Sequence, residues 1–463
     1  MSSEVFAESV NYKSVKSRAV AARSYRTKIT PSNGNTFNDG DTVNIDLPGN
    51  LSGTYYNPNQ WYMKFKVKNT DTTNGVVLDR AGAASFIKRI QISQSGAQLQ
   101  DLNNWNVLYT ALMDTDSSTE WKSSIGSILQ GTRGDCLKGE SIAANGERIF
   151  CVPMCLNVLS NSTPHRLIPA FSLGAIQWKL TLENASVATQ GATGIDNGNL
   201  LFTEIEFVCL MTELSPGAQA KVDAMTGGQY NILANSYMNA GASIQAGSTT
   251  FTANLGISVS SLERIIMVSR PQGTVNDKTK FSLGNRGKNK LLRFQYFINS
   301  EAYPQRPIEA GDKSAEILAE NLIASHSLVN FREGNGLMKA VTKDDTENVL
   351  VNDLGGGCPN TDKVNPFILD NPTGSSAGAL GANLAASTAS DIGTFLASCE
   401  FETGLSDGKS ATIYSGISTI ASVVQFRSEH ASGVVAGDFD FFAQYTVLLS
   451  LDMRGTGVYS ISV

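Results

Sequence analysis

Charge is scarce in this chain of 463 residues. Asp, Glu, Lys and Arg make up 17% of it, against roughly a quarter of an ordinary soluble domain. With 36 basic and 42 acidic residues the net charge is −6, which excludes a chain-wide attraction for nucleic acid but not a local basic segment. Histidine is rarer still. The three present, His165, His326 and His430, stand in no H-E-x-x-H or H-x-E frame, so the usual zinc-hydrolase and deaminase signatures are missing. The six cysteines, Cys136, Cys151, Cys155, Cys209, Cys358 and Cys399, are too sparse for a disulfide scaffold, and reduced thiols are expected. No run of about 18 apolar residues occurs, which excludes a membrane-spanning helix. The opening stretch MSSEVFAESVNYKSVKSR has no apolar centre, so no secretory signal is expected.

Candidate chemistry is equally thin. Cys151 and Cys155 have a spacing that zinc sites allow, but a second pair is missing and His165 is the only other soft ligand nearby. Gly284-Asn285-Arg286-Gly287-Lys288 lacks the spacing of a phosphate-binding loop and precedes a strand pattern, not a helix. Arg133-Gly134-Asp135 has the form of an integrin-type tripeptide but is read as a chance match in residues that turns favour, and Asn161-Ser162-Thr163 is a glycosylation sequon without a secretory context. Asp344-Asp345 lacks a full calcium ligand set. No strand–serine–helix elbow or dinucleotide fingerprint occurs. The expectation is no catalytic residue, no metal site and no cofactor.

What the chain does contain is alternation. Val43, Ile45 and Leu47 alternate with Thr42, Asn44 and Asp46. Trp61, Met63, Phe65 and Val67 alternate with Tyr62, Lys64, Lys66 and Lys68. Ile176, Trp178, Leu180 and Leu182 alternate with Gln177, Lys179 and Thr181. A period of two buries one face of a strand and wets the other, the signature of antiparallel sheets. Turn clusters such as Pro48-Gly49-Asn50 and Asn57-Pro58-Asn59 separate these runs. Further strands are expected at 201–211, 263–269, 291–299, 420–427, 440–451 and 458–462. Helices are few: one capped by Asp101, one opened by the capping box Ser117-x-x-Glu120, one starting at Ser215-Pro216 and one at Ser314.

The order of elements repeats. A strand at 86–92, a short loop and the helix after Asp101 match a strand at 291–298, a longer loop and the helix after Ser314, about 205 residues on. The domains expected are a basic arm over 1–30, a first sandwich over 31–212, a linker helix over 213–228 and a second sandwich over 229–463. Residues 226–260 and 341–400 read as large loops, and loops of that length usually carry interactions. The arm holds Lys13, Lys16, Arg18, Arg23, Arg26 and Lys28 against Glu4 and Glu8. It is expected to be extended and to touch something acidic or a neighbouring subunit.

Two segments resemble a known family. LLRFQYFINSEAYPQRPIEAGDKSAEILAENLIASHSL, residues 291–328, is similar to the second jelly roll of double jelly-roll major capsid proteins, where an apolar strand runs into a tyrosine–proline loop and then a helix. ASFIKRIQISQSGAQLQDLNNWNVLYTALM, residues 84–113, resembles the matching part of the first. The resemblance points to the capsid proteins of polinton-like viruses and virophages, in the lineage of adenovirus hexon and tailless phage capsids. The resemblance implies an all-β chain of two eight-stranded antiparallel jelly-roll sandwiches, side by side, with short helices. It implies a homotrimeric, pseudo-hexagonal capsomer that tiles an icosahedral shell around a DNA genome. The partners implied are further copies of the chain, minor capsid or penton proteins and, through the arm, the genome or an internal membrane. Synthesis in the host cytoplasm and residence in the virion follow. The competing reading is a secreted or surface β-sandwich protein for carbohydrate binding or adhesion, which would usually bring a secretion signal, exposed aromatic platforms or acidic calcium loops. A β-rich hydrolase is third, lacking a constellation.

Overall fold

The computed structural model describes residues 22–463 apart from 118, 133–137, 161–165, 191–194, 273–277, 279–281, 285, 287–288, 311–315, 325–394, 402–415, 453–457 and 463. The alternating runs are strands with the expected faces. In Thr54–Asn69, Trp61, Met63, Phe65 and Val67 are buried and Tyr62, Lys64, Lys66 and Lys68 partly exposed. In Ile176–Leu182 the four apolar residues point to the core and Gln177 and Lys179 to solvent.

In the first half a six-stranded sheet runs Ala22–Ile29, Leu200–Leu214, Thr54–Asn69, Ile168–Pro169, with Thr36–Asn38 and Glu147–Pro153 added. Facing it is a four-stranded sheet in the order Thr42–Leu47, Ile176–Leu182, Ile87–Gln94, Ala97–Leu102. A small third sheet joins Thr189–Gln190, Val76–Asp79 and Lys138–Ile142. The second half repeats the two main layers. One sheet runs Gln229–Ile244, Gly437–Asp452, Leu262–Pro271, Ala397–Glu400, with Val458–Ser462 added. The other runs Thr250–Leu255, Val424–His430, Leu291–Ile298, Glu301–Glu309. All described pairings in both halves are antiparallel. Aromatic side chains fill the space between layers. Trp61, Trp178 and Phe207 meet at ring distances of 5.2–5.8 Å in one half. Phe426 touches Phe294, Tyr296, Phe439 and Phe441 at 4.9–6.2 Å in the other. These are ordinary offset and edge contacts of packed rings.

Between the halves lies the helix Pro216–Thr226. Ser215 accepts the Ala218 N–H, Pro216 occupies the first turn and Gly227 closes the end at φ 63°, as the Ser-Pro…Gly sequence dictates. The registers Ala22↔Leu214 and Gln229↔Asp452 place the start of the first strand and the end of the long C-terminal strand beside this helix. Asn69↔Leu200 and Ile244↔Gly437 mark the opposite end. The helices Trp105–Asp116 and Glu316–Ala324 follow strands that run toward that remote end.

Several expectations change. Asp101 does not cap a helix: it sits in the strand Ala97–Leu102, where Arg89 binds its carboxylate in a bidentate pair and Gln91 donates to it. Asn104 starts the helix instead, with φ 51° and no side-chain cap bond. Ser117 ends that helix rather than opening the next one, its N–H donating to the Met113 carbonyl. Ser118 lies outside the described residues. The stretch 226–260 is not a loop but the strands Gln229–Ile244 and Thr250–Leu255. Its small polar residues hid a strand whose backbone is paired along all 16 residues with the apolar strand Gly437–Asp452. Residues 341–394 lie outside the described residues, and 397–400 form a strand. The part of the basic segment from Ala22 to Ile29 is an edge strand of the first sheet, so the first sandwich includes residues before 31.

Candidate assembly surface

Three of the six basic arm residues are in the structure, on Ala22–Ile29. The strand is exposed along Ala22–Arg26, and Thr27 and Ile29 are partly covered. Residues paired directly across antiparallel strands share a face. Lys28 opposite Val208 and Arg26 opposite Leu210 therefore stand on the outer face, while Tyr25 opposite Met211 lies on the core side, beyond the packed centre. Arg23 binds Glu213 at 2.6 Å and its guanidinium lies 5.6 Å from the Tyr25 ring centroid. Glu206 takes both Lys28 at 2.9 Å and Lys64 at 3.3 Å. The two cations hold its carboxyl below the usual range, the Lys28 hydrogen bond most. Arg26 has no side-chain partner among the described residues. Lys13, Lys16 and Arg18 lie outside them.

The second feature is the joint between the sandwiches, which sequence reading missed. The edge strand Ala97–Leu102 of the first half packs beside Gln229–Ile244, an edge strand of the second. A cavity of about 460 Å³ lined by Arg89, Gln98, Asp101, Met238, Asn239 and Tyr445 remains between them. Asn104 donates to Asp440 at 2.8 Å, and Arg270 binds the other oxygen of Asp440 at 2.6 Å in a buried ion pair. Lys278 reaches Asp196 at 2.6 Å across the same divide. Beside the linker helix, Tyr55 donates to Gln219, Tyr230 donates to Asp223, and the Tyr230 ring meets Phe171 at 5.7 Å. The deepest link is Asp79. Its carboxylate, fully buried in the first half, accepts N–H bonds from Leu283 at 2.9 Å and Gly284 at 2.8 Å in the second, and from its neighbour Arg80 at 2.6 Å. Burial pushes its pKa up to about 6, against the lowering effect of these bonds. No motif marks these residues. The contacts that cross between the halves are made by single polar side chains whose partners are far along the chain.

The remaining sequence candidates are placed plainly. Gly284 offers its amide to Asp79 rather than to a phosphate. His430 is buried between Ser428 and the Asn289 carbonyl, each at 2.9 Å, and burial lowers its pKa. Cys151 and Cys155 are half-buried. Among the described residues no group of three or more His, Cys, Asp and Glu could hold a metal ion. His165, His326, Arg133-Gly134-Asp135, Asn161-Ser162-Thr163 and Asp344-Asp345 lie outside the described residues. Sequence reading also passed over an apolar patch in the first sandwich. Ile125, Ile128 and Leu129 on the short helix Ile125–Gln130 are exposed, as is Ile149 on the strand Glu147–Pro153 packed beside it.

Two sandwiches with the same strand order, joined by one helix, define the double jelly-roll fold, and this chain has it. The solved structures it resembles include a virus capsid and a major capsid protein. It superposes on the PBCV-1 Vp54 structure fitted into a reconstruction of the virophage Sputnik with a TM-score of 0.61 at 10% identity, covering 98% of this chain and 99% of that one. The PBCV-1 virus capsid matches with a TM-score of 0.59 at 10% identity, covering 97% and 99%. The Faustovirus major capsid protein matches at 0.55 and 9%, covering 95% and 92%. No family model and no curated protein sequence matches the chain.

Proposed function

We propose that this chain is a structural major capsid protein. Three copies form a pseudo-hexagonal capsomer, and capsomers tile an icosahedral shell enclosing a DNA genome. The observation that carries the reading is the end-to-end likeness to a virus capsid chain, 98% of this chain against 99% of that one, with both sandwiches and their junction included. A low charge fraction suits surfaces that are buried in a dense array. The role is binding, not catalysis, and the partners are further copies of the chain and minor capsid or penton proteins. The chain is made in the host cytoplasm and resides in the virion. The arm, with Lys13, Lys16 and Arg18 ahead of the first strand, faces the shell interior and meets the genome, an internal membrane or a minor protein.

The test is sedimentation and electron microscopy of the purified full-length chain. The expected species has three times the 49.4 kDa chain mass and a hexagonal outline, with a buried area well above the ~2,000 Å² at which obligate interfaces begin. A chain that stays monomeric at micromolar concentration and forms no array overturns the reading.

A further inference from the structure

The two halves end their sheets in the same way. In each, the first long strand closes one sheet and the second strand of a hairpin closes the other. The edges of these two kinds are Ala22–Ile29 and Ala97–Leu102 in the first half, Gln229–Ile244 and Glu301–Glu309 in the second; the opposite edges of the same sheets are Ile168–Pro169, Thr42–Leu47, Ala397–Glu400 and Thr250–Leu255. Among the described residues one combination of these edges is packed together: Ala97–Leu102 lies beside Gln229–Ile244. Burial follows this use. Gln229–Ile244 is buried at Ser236 and Tyr237 in its middle, and Ala97–Leu102 buries Leu99, Gln100 and Leu102. Their counterparts are open. Ala22–Ile29 has no fully buried residue, and Glu301–Glu309 buries only Ile308. An edge strand left uncovered is a ready template for another chain.

We propose that the unused pair is the contact between copies: the edge Glu301–Glu309 of one chain seats beside the edge Ala22–Ile29 of the next, repeating between molecules the joint made once within each. The inference rests on the self-assembly proposed above and names the surface that performs it. Such a contact is head-to-tail, because each copy offers one edge of each kind, and it closes into a ring in which first and second sandwiches alternate. Charge supports the choice. On Ala22–Ile29, which has no acidic residue of its own, Arg23 and Lys28 are paired with Glu213 and Glu206 of the next strand, and Arg26 is the cation left for a partner. The other edge carries Glu301 and Glu309 against Arg306, and the helix after it adds Glu316 and Glu320. Opposite patches of this kind steer encounter and fix register.

The experiment is charge reversal in the full-length chain. Arg26→Glu alters one edge; Glu301→Lys with Glu309→Lys alters the other. At about 0.1 M salt each set raises the dissociation constant of the trimer by about tenfold or more, and all three substitutions in one chain bring it back to within about threefold of the parent. Thermal melting of the dilute monomers checks that the variants fold. A second measurement needs no substitution: amide exchange at 22–29 and 301–309 slows when the parent chain passes from monomer to trimer. A trimer indifferent to both charge sets, or exchange unchanged at both edges, overturns this contact and leaves the capsid reading standing. A parent chain that never associates overturns both.

Discussion

Asp79 shows how one side chain can join two domains at a cost. Backbone N–H groups of Arg80, Ser282, Leu283 and Gly284, from both halves, converge on its carboxylate, which is buried from solvent. Burial disfavours the charged form more than those bonds favour it, so the folded pKa of about 6 stands above the unfolded 3.8. A group shifted this way binds its proton more tightly in the folded state. Its contribution to stability is therefore complete below about pH 3.8 and declines as the pH rises through about 6, by about 3 kcal/mol in all. Asp79→Asn cannot titrate. The unfolding free energy of the parent minus that of the variant is expected to fall by roughly that amount between pH 4 and pH 7, measured by denaturant titration. A difference that is flat with pH shows that the carboxylate keeps one charge state throughout. Asp440 is held by side chains instead. It is buried too, but Arg270 and Asn104 face it directly, and a buried charge is tolerable chiefly when paired in this way.

At the scale of elements, Ala22–Ile29 is the informative strand. It pairs with Leu200–Leu214 from Ala22 to Ile29, yet it covers little of the core. A chain truncated before Ala22 keeps that pairing; one truncated through Ile29 leaves the outer edge of Leu200–Leu214 without it. The second truncation is expected to melt a few degrees lower, on the order of 1–3 kcal/mol, and the first to melt with the parent, as read by calorimetry. Equal melting points for both would reduce the strand to an ornament of the sheet. The sequence led astray here for a physical reason. Arg23, Arg26 and Lys28 are common in unstructured tails, and an exposed edge strand needs no buried face to declare itself. Gln229–Ile244 was hidden differently, by Asn, Ser, Gly and Ala whose backbone pairs well while their side chains say little. Ala97–Leu102 and Glu301–Glu309, read as loops, are the hairpin strands that close the four-stranded sheets. Trp61, Trp178 and the linker helix were legible because each combines a strong period or cap with a partner close by in pattern. The Asp79, Asn104 and Tyr230 links were not, since a single polar residue carries no period.

For the whole molecule, the registers give a polarity. The first strand, the linker helix and the end of the long C-terminal strand share one end. The chain enters and leaves 325–394 near the other, from the helix Glu316–Ala324 and back through Phe395, whose N–H donates to Arg286 beside the Gly284 amide held by Asp79. Residues 1–21 therefore join the sandwich at the linker end. On the capsid reading that end faces inward, where a genome or an anionic membrane surface is negative. Lys13, Lys16 and Arg18 put three positive charges within one short stretch, and ordering such a stretch costs ~1–2 kcal/mol per residue of backbone alone, so an anionic or protein partner must supply the compensation. A chain lacking residues 2–21 retains both edges named above and is expected to form trimers as the parent does, while closing particles poorly. Sedimentation reports the first and particle counts by electron microscopy the second. Intact particles should also protect Lys13 and Lys16 from a membrane-impermeant amine reagent that modifies them freely in dissociated trimers. Normal particle yield from the truncated chain would make the arm a passive tail, and labelling of those two lysines on intact particles would place it outside.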